Sequence, residues 1–231
     1  VTDAVLDANK AEAETALLDS GGAPRKRNAE RTRKAILAAA LKEFSQAGFA
    51  GARIERIVKA AKCNIRMLYH YFGDKKGLYM AVLESAYMDL RAREAELKID
   101  FDQPLDGFME LQRFTFDYFE KNPRFEGLLR NENLQHGKFA AQSRVVTETA
   151  FPLRRTIEKL IESGQAKGLF GSDLDPVQIY VTIAAMSRFH LANGYSLSAT
   201  LDTDMSAPEW RRARLNHALA LLEGYLTRGA R

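Results

Sequence analysis

The sequence predicts an all-α fold, a small N-terminal three-helix unit followed by a larger C-terminal helical domain. Three observations carry this. Apolar residues recur at i, i+3, i+4 and i+7 along most of the 231 residues, the spacing that one face of a helix buries. No run alternates apolar and polar residues as a half-buried strand does. A compact stretch from Arg53 to Lys76 divides into two short helical stripes separated by a tight turn.

Composition sets the class. At 46% apolar and 28% charged residues, the chain has an ordinary globular balance. The single cysteine, Cys63, excludes an internal disulfide framework and a multi-cysteine zinc site, and fits a cytoplasmic setting. No stretch reaches the roughly 18 unbroken apolar residues of a membrane helix. The acidic, Ala-rich start lacks the basic-then-apolar order of a signal peptide. The net charge of +4 is unevenly spread: residues 24–80 hold 14 Lys and Arg against 4 Asp and Glu. A basic concentration of this kind is the electrostatic footprint of phosphate binding.

Residues 1–27 read as a disordered tail, isolated by Gly21-Gly22-Ala23-Pro24 and ending in a basic arm, Arg25-Lys26-Arg27. Residues 28–74 read as the small unit. Its first helix runs from Asn28 or Ala29 to Ala47, with Ile36, Leu37, Ala40, Leu41 and Phe44 on one stripe and Gly48 as the stop. Phe49 is placed at the junction with the second helix. That helix carries Ile54, Ile57, Val58 and Ala61 inward. Lys62-Cys63 breaks the pattern, and Asn64 caps the third helix. With Leu68 inward, Phe72, Ile65 and Tyr71 lie within about 60° of it, and Arg66 and His70 point away at about 100° per residue. Met67 and Tyr69 flank the outward side. A polar, partly apolar outward face on a short helix is what a major groove accepts.

Residues 75–231 read as the larger domain. A helix capped by Asp74 continues to Leu97, apolar on two sides. A helix from Pro104 ends before Asn122-Pro123, and another covers Phe125 to about His136. One longer helix from Val145 to Ile161 contains Pro152, which should kink or interrupt it. Asp175-Pro176 opens a helix to about Ala192. Ser206-x-x-Glu209 reads as a capping box for the last helix.

The run Ala61-Lys62-Cys63-Asn64-Ile65-Arg66-Met67-Leu68-Tyr69-His70-Tyr71-Phe72, followed by Asp74-Lys75, resembles the helix-turn-helix signature of TetR-family transcriptional regulators. Upstream, Arg33-Lys34-Ala35-Ile36-Leu37, Ala39-Ala40, Phe44 and Gly48-Phe49 match as well. Lys62 stands where the family has a turn glycine, Asn64 replaces a serine, and Ala52 replaces a capping threonine. The resemblance implies a homodimeric, sequence-specific DNA-binding regulator, a repressor released from a palindromic operator by a small-molecule effector. It implies dimer contact through the last two helices, about 176–192 and 207–228. The DNA-contacting residues are expected to be Arg53, Asn64, Ile65, Arg66, Met67, Tyr69, His70 and Lys75. Arg66 can set a two-pronged fork on guanine, and Met67 or Ile65 can meet a thymine methyl; Tyr69, His70, Lys75, Arg53 and the Asn64 region are phosphate binders by analogy.

For an effector, the aromatic and neutral polar residues Phe108, Phe114, Tyr118, Phe125, Asn131, His136, Met186, Phe189 and His190 suit an apolar or aromatic small molecule. No cofactor or metal is called for: the four histidines lack H-x-x-x-H spacing, and neither a phosphate loop nor a G-x-S-x-G elbow occurs. Two other readings stay open, a ligand-independent DNA-binding protein and a helical small-molecule-binding protein or enzyme with a vestigial DNA unit.

Overall fold

Eleven helices and one short 3₁₀ turn form the described residues, 22–230, of this computed structural model, with side chains described from Arg27 onward. Helix α1 (Gly22–Gly51) buries Ile36, Ala40 and Phe44 completely, one turn apart. It begins earlier than its apolar stripe requires. Pro24 lies in the first turn, where a missing N–H costs nothing. The backbone of Arg25-Lys26-Arg27, the expected basic arm, is helical; residues 1–21 of the expected tail lie outside the described residues.

Helices α2 (Ile54–Ala61), α3 (Ile65–Phe72) and α4 (Lys75–Glu94) follow. Helix α4 buries Leu78, Tyr79, Val82, Leu83, Ala86 and Leu90, the two-sided pattern expected. It ends at Glu94, short of Leu97. Arg91 and Arg93 fill its last turn, and the chain then turns so that Leu97 and Ile99 reach the second core. Helices α5 (Pro104–Lys121) and α6 (Pro123–Leu134) meet at Asn122, where Pro123 starts the next helix. Of the kink or interruption expected at Pro152, the chain takes the interruption, giving α7 (Arg144–Glu148) and α8 (Phe151–Ala166). Proline clashes with the preceding turn but is tolerated near a helix start, so the chain breaks before it. Helix α9 (Pro176–Ala192) starts as expected: Asp175 Oδ1 accepts from the N–H groups of Val177 and Gln178 at 2.7 and 2.9 Å.

A short helix α10 (Gly194–Leu201) was not foreseen, and α11 (Pro208–Leu226) closes the fold. The Ser206–Glu209 capping box does not form. Pro208 takes the first helical position, Ala207 becomes the cap, and the Ser206 hydroxyl donates to Asp204 Oδ1 at 2.6 Å.

Two apolar clusters hold the helices. The second joins Phe108 and Leu111 of α5, Ile157 and Leu160 of α8, Ile179 and Ile183 of α9, and Ala218, Leu222 and Leu226 of α11. The first joins α1–α4 to Tyr118, Phe119, Phe125, Leu128 and Phe139. The core of the small unit is thus continuous with α5 and α6, which a three-helix unit too small to bury its own apolar surface needs. Phe49 packs against the first cluster, which also holds Ile54 and Ile57 of α2. Its ring lies 5.4 Å from Tyr79 and 4.6 Å from Phe139, in a cluster that Phe44 completes.

Helix α1 lies along α6. Asn131 donates through Nδ2 to the carbonyls of Ser45 and Gly127 at 3.0 and 2.9 Å. Gly48 interrupts α1 at φ 66°, ψ −179°, a region open to glycine alone. A Cβ there would lie 2.9 Å from Asn131 Oδ1. Gly48→Ala is expected to destabilise the protein by about 1–3 kcal/mol, read as a lower urea midpoint at unchanged slope; an unshifted midpoint would remove the strain argument.

Candidate nucleic-acid interface

The α2–α3 turn is built by two residues. Lys62 adopts the left-handed conformation, φ 53° and ψ 42°, which costs an L-residue about 1–2 kcal/mol where glycine would pass freely. Its position between the two helices makes that conformation necessary, because the chain must reverse within three residues. Asn64 then caps α3, its Oδ1 accepting from the Met67 N–H at 2.9 Å. Helix α3 buries Leu68 and Phe72 and leaves Arg66, Tyr69 and His70 exposed. Met67 is half-buried on the flank. Ile65 is 39% exposed, so it can present a methyl surface despite lying toward the inward half of the helix.

The exit from α3 is fixed closely. Asp74 Oδ1 accepts from the Gly77 N–H at 2.7 Å. A Cβ on Gly77 would fall 2.1 Å from the Phe72 carbonyl oxygen, so α4 crosses α3 at a distance only glycine permits. Lys75 is half-buried. Its Nζ donates to the carbonyls of Ala52 and Ala50 at 2.6 and 3.3 Å and sits 5.2 Å from the Phe49 ring centre. The ammonium ties the α1–α2 turn to the start of α4. The Arg53 side chain is exposed, and its backbone N–H donates to Glu43 Oε1 at 3.0 Å. Glu43 also draws Arg56, at 3.6 Å. Cys63 is half-buried, and burial pushes its thiol up, away from the reactive thiolate.

The nine residues expected around an effector are scattered. Phe108 and Met186 are second-core residues. Tyr118 donates its O–H to Asp89 Oδ2 at 2.9 Å, with Phe114 half-buried beside it at 5.9 Å. Asn131 is spent on α1, and His136 is an exposed turn residue at φ 58°. His190 is buried between Phe116 and Trp210, with ring centres 5.0 and 5.6 Å away. Burial first, then Arg214 and Arg211, lower its pKa to about 4, which keeps it neutral. Tyr118 and Phe125 line one cleft of about 540 Å³ between α1, α4 and α5, Phe114 and Tyr118 line another, and Phe125 and Phe189 line a third, of about 540 Å³, between α4, α6 and α9. Tyr87, Phe119, Arg130 and Arg188 line it too, and the sequence reading missed them. A signal was present: Arg188 is the one Lys, Arg, Asp or Glu in the apolar run of α9.

Among the described residues, no three or more His, Cys, Asp or Glu are grouped to hold a metal, and no helix is long and apolar enough to cross a membrane.

Comparison with known proteins agrees with this geometry. Residues 36–82 match the family described as bacterial regulatory proteins, tetR family, and residues 104–222 match the tetracyclin repressor-like C-terminal domain. The chain is 40% identical over 182 residues to the HTH-type transcriptional repressor NicS of Pseudomonas putida, covering 79% of this chain and 86% of that one. It is 28% identical over 163 residues to the HTH-type transcriptional repressor SCO4008 of Streptomyces coelicolor, covering 71% and 80%. Among solved structures, the putative transcriptional regulator SCO4942 of Streptomyces coelicolor superposes with a TM-score of 0.63 at 26% identity, over 85% of this chain and 99% of that one. The likeness to a TetR regulator of Chloroflexus aurantiacus, TM-score 0.63 at 22% identity over 89% and 98%, concerns the fold. With two helices joined by a tight turn, a reading helix exposed on one side, and a helical domain behind them, the chain belongs to the TetR family of DNA-binding transcriptional regulators, which are not enzymes.

Proposed function

We propose that this regulator is a cytoplasmic repressor that binds a near-palindromic operator as a homodimer and leaves it when a small molecule binds the C-terminal part. Residues 28–74 carry the DNA contact, and 75–231 carry the effector and the subunit contact. The observation that supports this best is the division of α3: Leu68 and Phe72 are buried, and Arg66, Tyr69 and His70 are exposed together. Arg66 reads a guanine, and Met67 and Ile65 meet thymine methyls. Tyr69, His70, Arg53 and the Asn64 region hold phosphates, which fix register without specifying sequence. Lys75 acts from inside, as a positioning residue.

The subunit contact falls on α9 and α11. Val177, Val181 and Phe189 are exposed on α9, as are Leu221 and Tyr225 on α11. Beside Leu221 lie exposed Ala220 and Gly224, small enough to let a second helix approach. A two-fold axis between such pairs gives a four-helix contact. It sets two reading heads about one DNA turn apart, roughly 34–36 Å or a multiple of it.

Selection of duplexes from a random pool is expected to enrich a symmetric sequence. Arg66→Ala should lower affinity for it by about 1–3 kcal/mol and relax one base position per half-site; equal loss on every sequence makes Arg66 a phosphate contact, and no enriched sequence refutes the reading. Lys75→Met should weaken binding to all sequences while leaving the dependence of log K on log salt unchanged. A slope reduced by about 0.9 would return Lys75 to the phosphate contacts. Leu221→Glu should convert a dimer to monomer in ultracentrifugation at micromolar concentration, whereas a persistent dimer would move the contact elsewhere.

A further inference from the structure

We infer that the cleft between α4, α6 and α9 takes a small aryl carboxylate, its ring between aromatic side chains and its carboxylate on Arg188. This rests on the effector-released reading above and names the chemistry of that effector.

The cleft has the volume of a small-molecule site, about 540 Å³. Its wall is a set of rings. Phe119 and Phe125 stack at 5.7 Å and 21°, Tyr87 meets Phe125 edge-on at 5.6 Å, and Phe189 stands 56% exposed at the rim. A flat unsaturated body fits such a wall, because rings prefer offset or edge contacts with other rings.

Arg188 supplies the charge. It is half-buried, with its guanidinium carbon 6.0 Å from the Phe119 ring centre. Its nearest acceptor is Glu126 Oε1, at 3.5 Å. That is long for a charge-assisted bond, which closes to about 2.7–2.9 Å. Arg188 Nε is buried and has no acceptor among the described residues. A guanidinium offers its donors as a planar fork that a carboxylate matches with both oxygens. Arg130 brings a second cation to the opening, exposed on α6. Arg130 and Arg188 are the charged residues that line the cleft, and Glu126 beside Arg188 is a carboxylate with which a ligand's own would compete. A neutral aromatic compound would leave the guanidinium with only its long contact to Glu126, and an aromatic amine would meet Arg188 charge to charge.

Calorimetry on the full chain with benzoate, benzamide and benzylamine tests this. Benzoate is expected to bind at least about tenfold tighter than benzamide, since a charged hydrogen-bonded pair is worth that much or more, and benzylamine should bind weakest. Arg188→Gln should erase the preference for benzoate while benzamide still binds. Glu126→Gln removes the competing carboxylate and should strengthen benzoate binding severalfold, a direction that an unfolded variant cannot give. Equal binding of benzoate and benzamide, benzoate binding indifferent to Arg188→Gln, or weakening by Glu126→Gln each overturns the inference. So does the absence of benzoate binding by a protein that still selects an operator, which leaves the regulator reading standing. Loss of operator selection strikes only the regulator reading, because calorimetry reads benzoate directly.

Discussion

The arrangement of the helices turns on one buried carboxylate. Glu132, 3% exposed, accepts from the Tyr79 hydroxyl through Oε2 at 2.9 Å, and from the backbone N–H groups of Phe139 and Ala140 through Oε1 at 2.7 and 2.8 Å. Among the described residues it has no cation beside it, so these three donors replace the water it lost. Hydrogen bonds to a charged group contribute about 1.5–3 kcal/mol each, and a stranded charge costs more than any of them returns. The phenol feels the same environment: burial first, then Glu132, pushes its pKa well up, so Tyr79 remains a donor. One residue therefore fixes α4 and the segment after α6 to α6 itself. Its chain neighbour Asn131 fixes α1 to the same helix.

Helix α6 is thus shared between two tasks. On one side it grips α1 and α4, the supports of the reading helix. On the other it lines the aromatic cleft with Leu129, Arg130 and Asn133. A ligand changes DNA binding only through different affinities for two arrangements of the protein. A rigid helix that touches both the ligand site and the reading head is a direct way to make those affinities differ, since a shift of α6 cannot leave α1 and Tyr79 in place. The reading head is tightly held for the same reason. Lys75, Asp74 and Gly77 join its turn, its exit and α4 within a few residues. Of the positive charges of residues 24–80, that of Lys75 is partly engaged by backbone carbonyls.

Much of the site was legible because it is local. Cap, turn and outward face of α3 depend on residues within one or two turns of each other, and Asn64, Leu68 and Arg66 lie as a helical projection places them. Prolines and shared caps limited the rest of the element reading. Pro152 and Pro208 each mark a helix start, which periodicity alone does not distinguish from a kink or from a cap one residue earlier. The effector side was nearly illegible. Whether Asn131 lines a cavity or binds the Ser45 carbonyl depends on which helix lies opposite, and nothing in its own segment tells. Composition favoured aromatic and neutral polar residues, so Arg188 was passed over in a helix otherwise read as apolar.

Helix α9 shows how position can join functions that sequence keeps apart. Val181 and Phe189 line the cleft and are also among the exposed apolar residues of α9. Ile179, Ile183 and Met186 hold the opposite side in the second core, against α5 and α8. If α9 and α11 form the subunit contact, the partner closes the outer lip of the cleft, and an occupant must be small enough to stay beneath it. Ligand and partner would then press on the same two side chains. The spacing of the reading heads would depend on how α9 packs across the axis, and a ligand at that seam would alter it without touching DNA. On that arrangement two routes, through α6 to α1 and through α9 to the partner, would start from one cleft, and its contents would control whether both half-sites can be held at once.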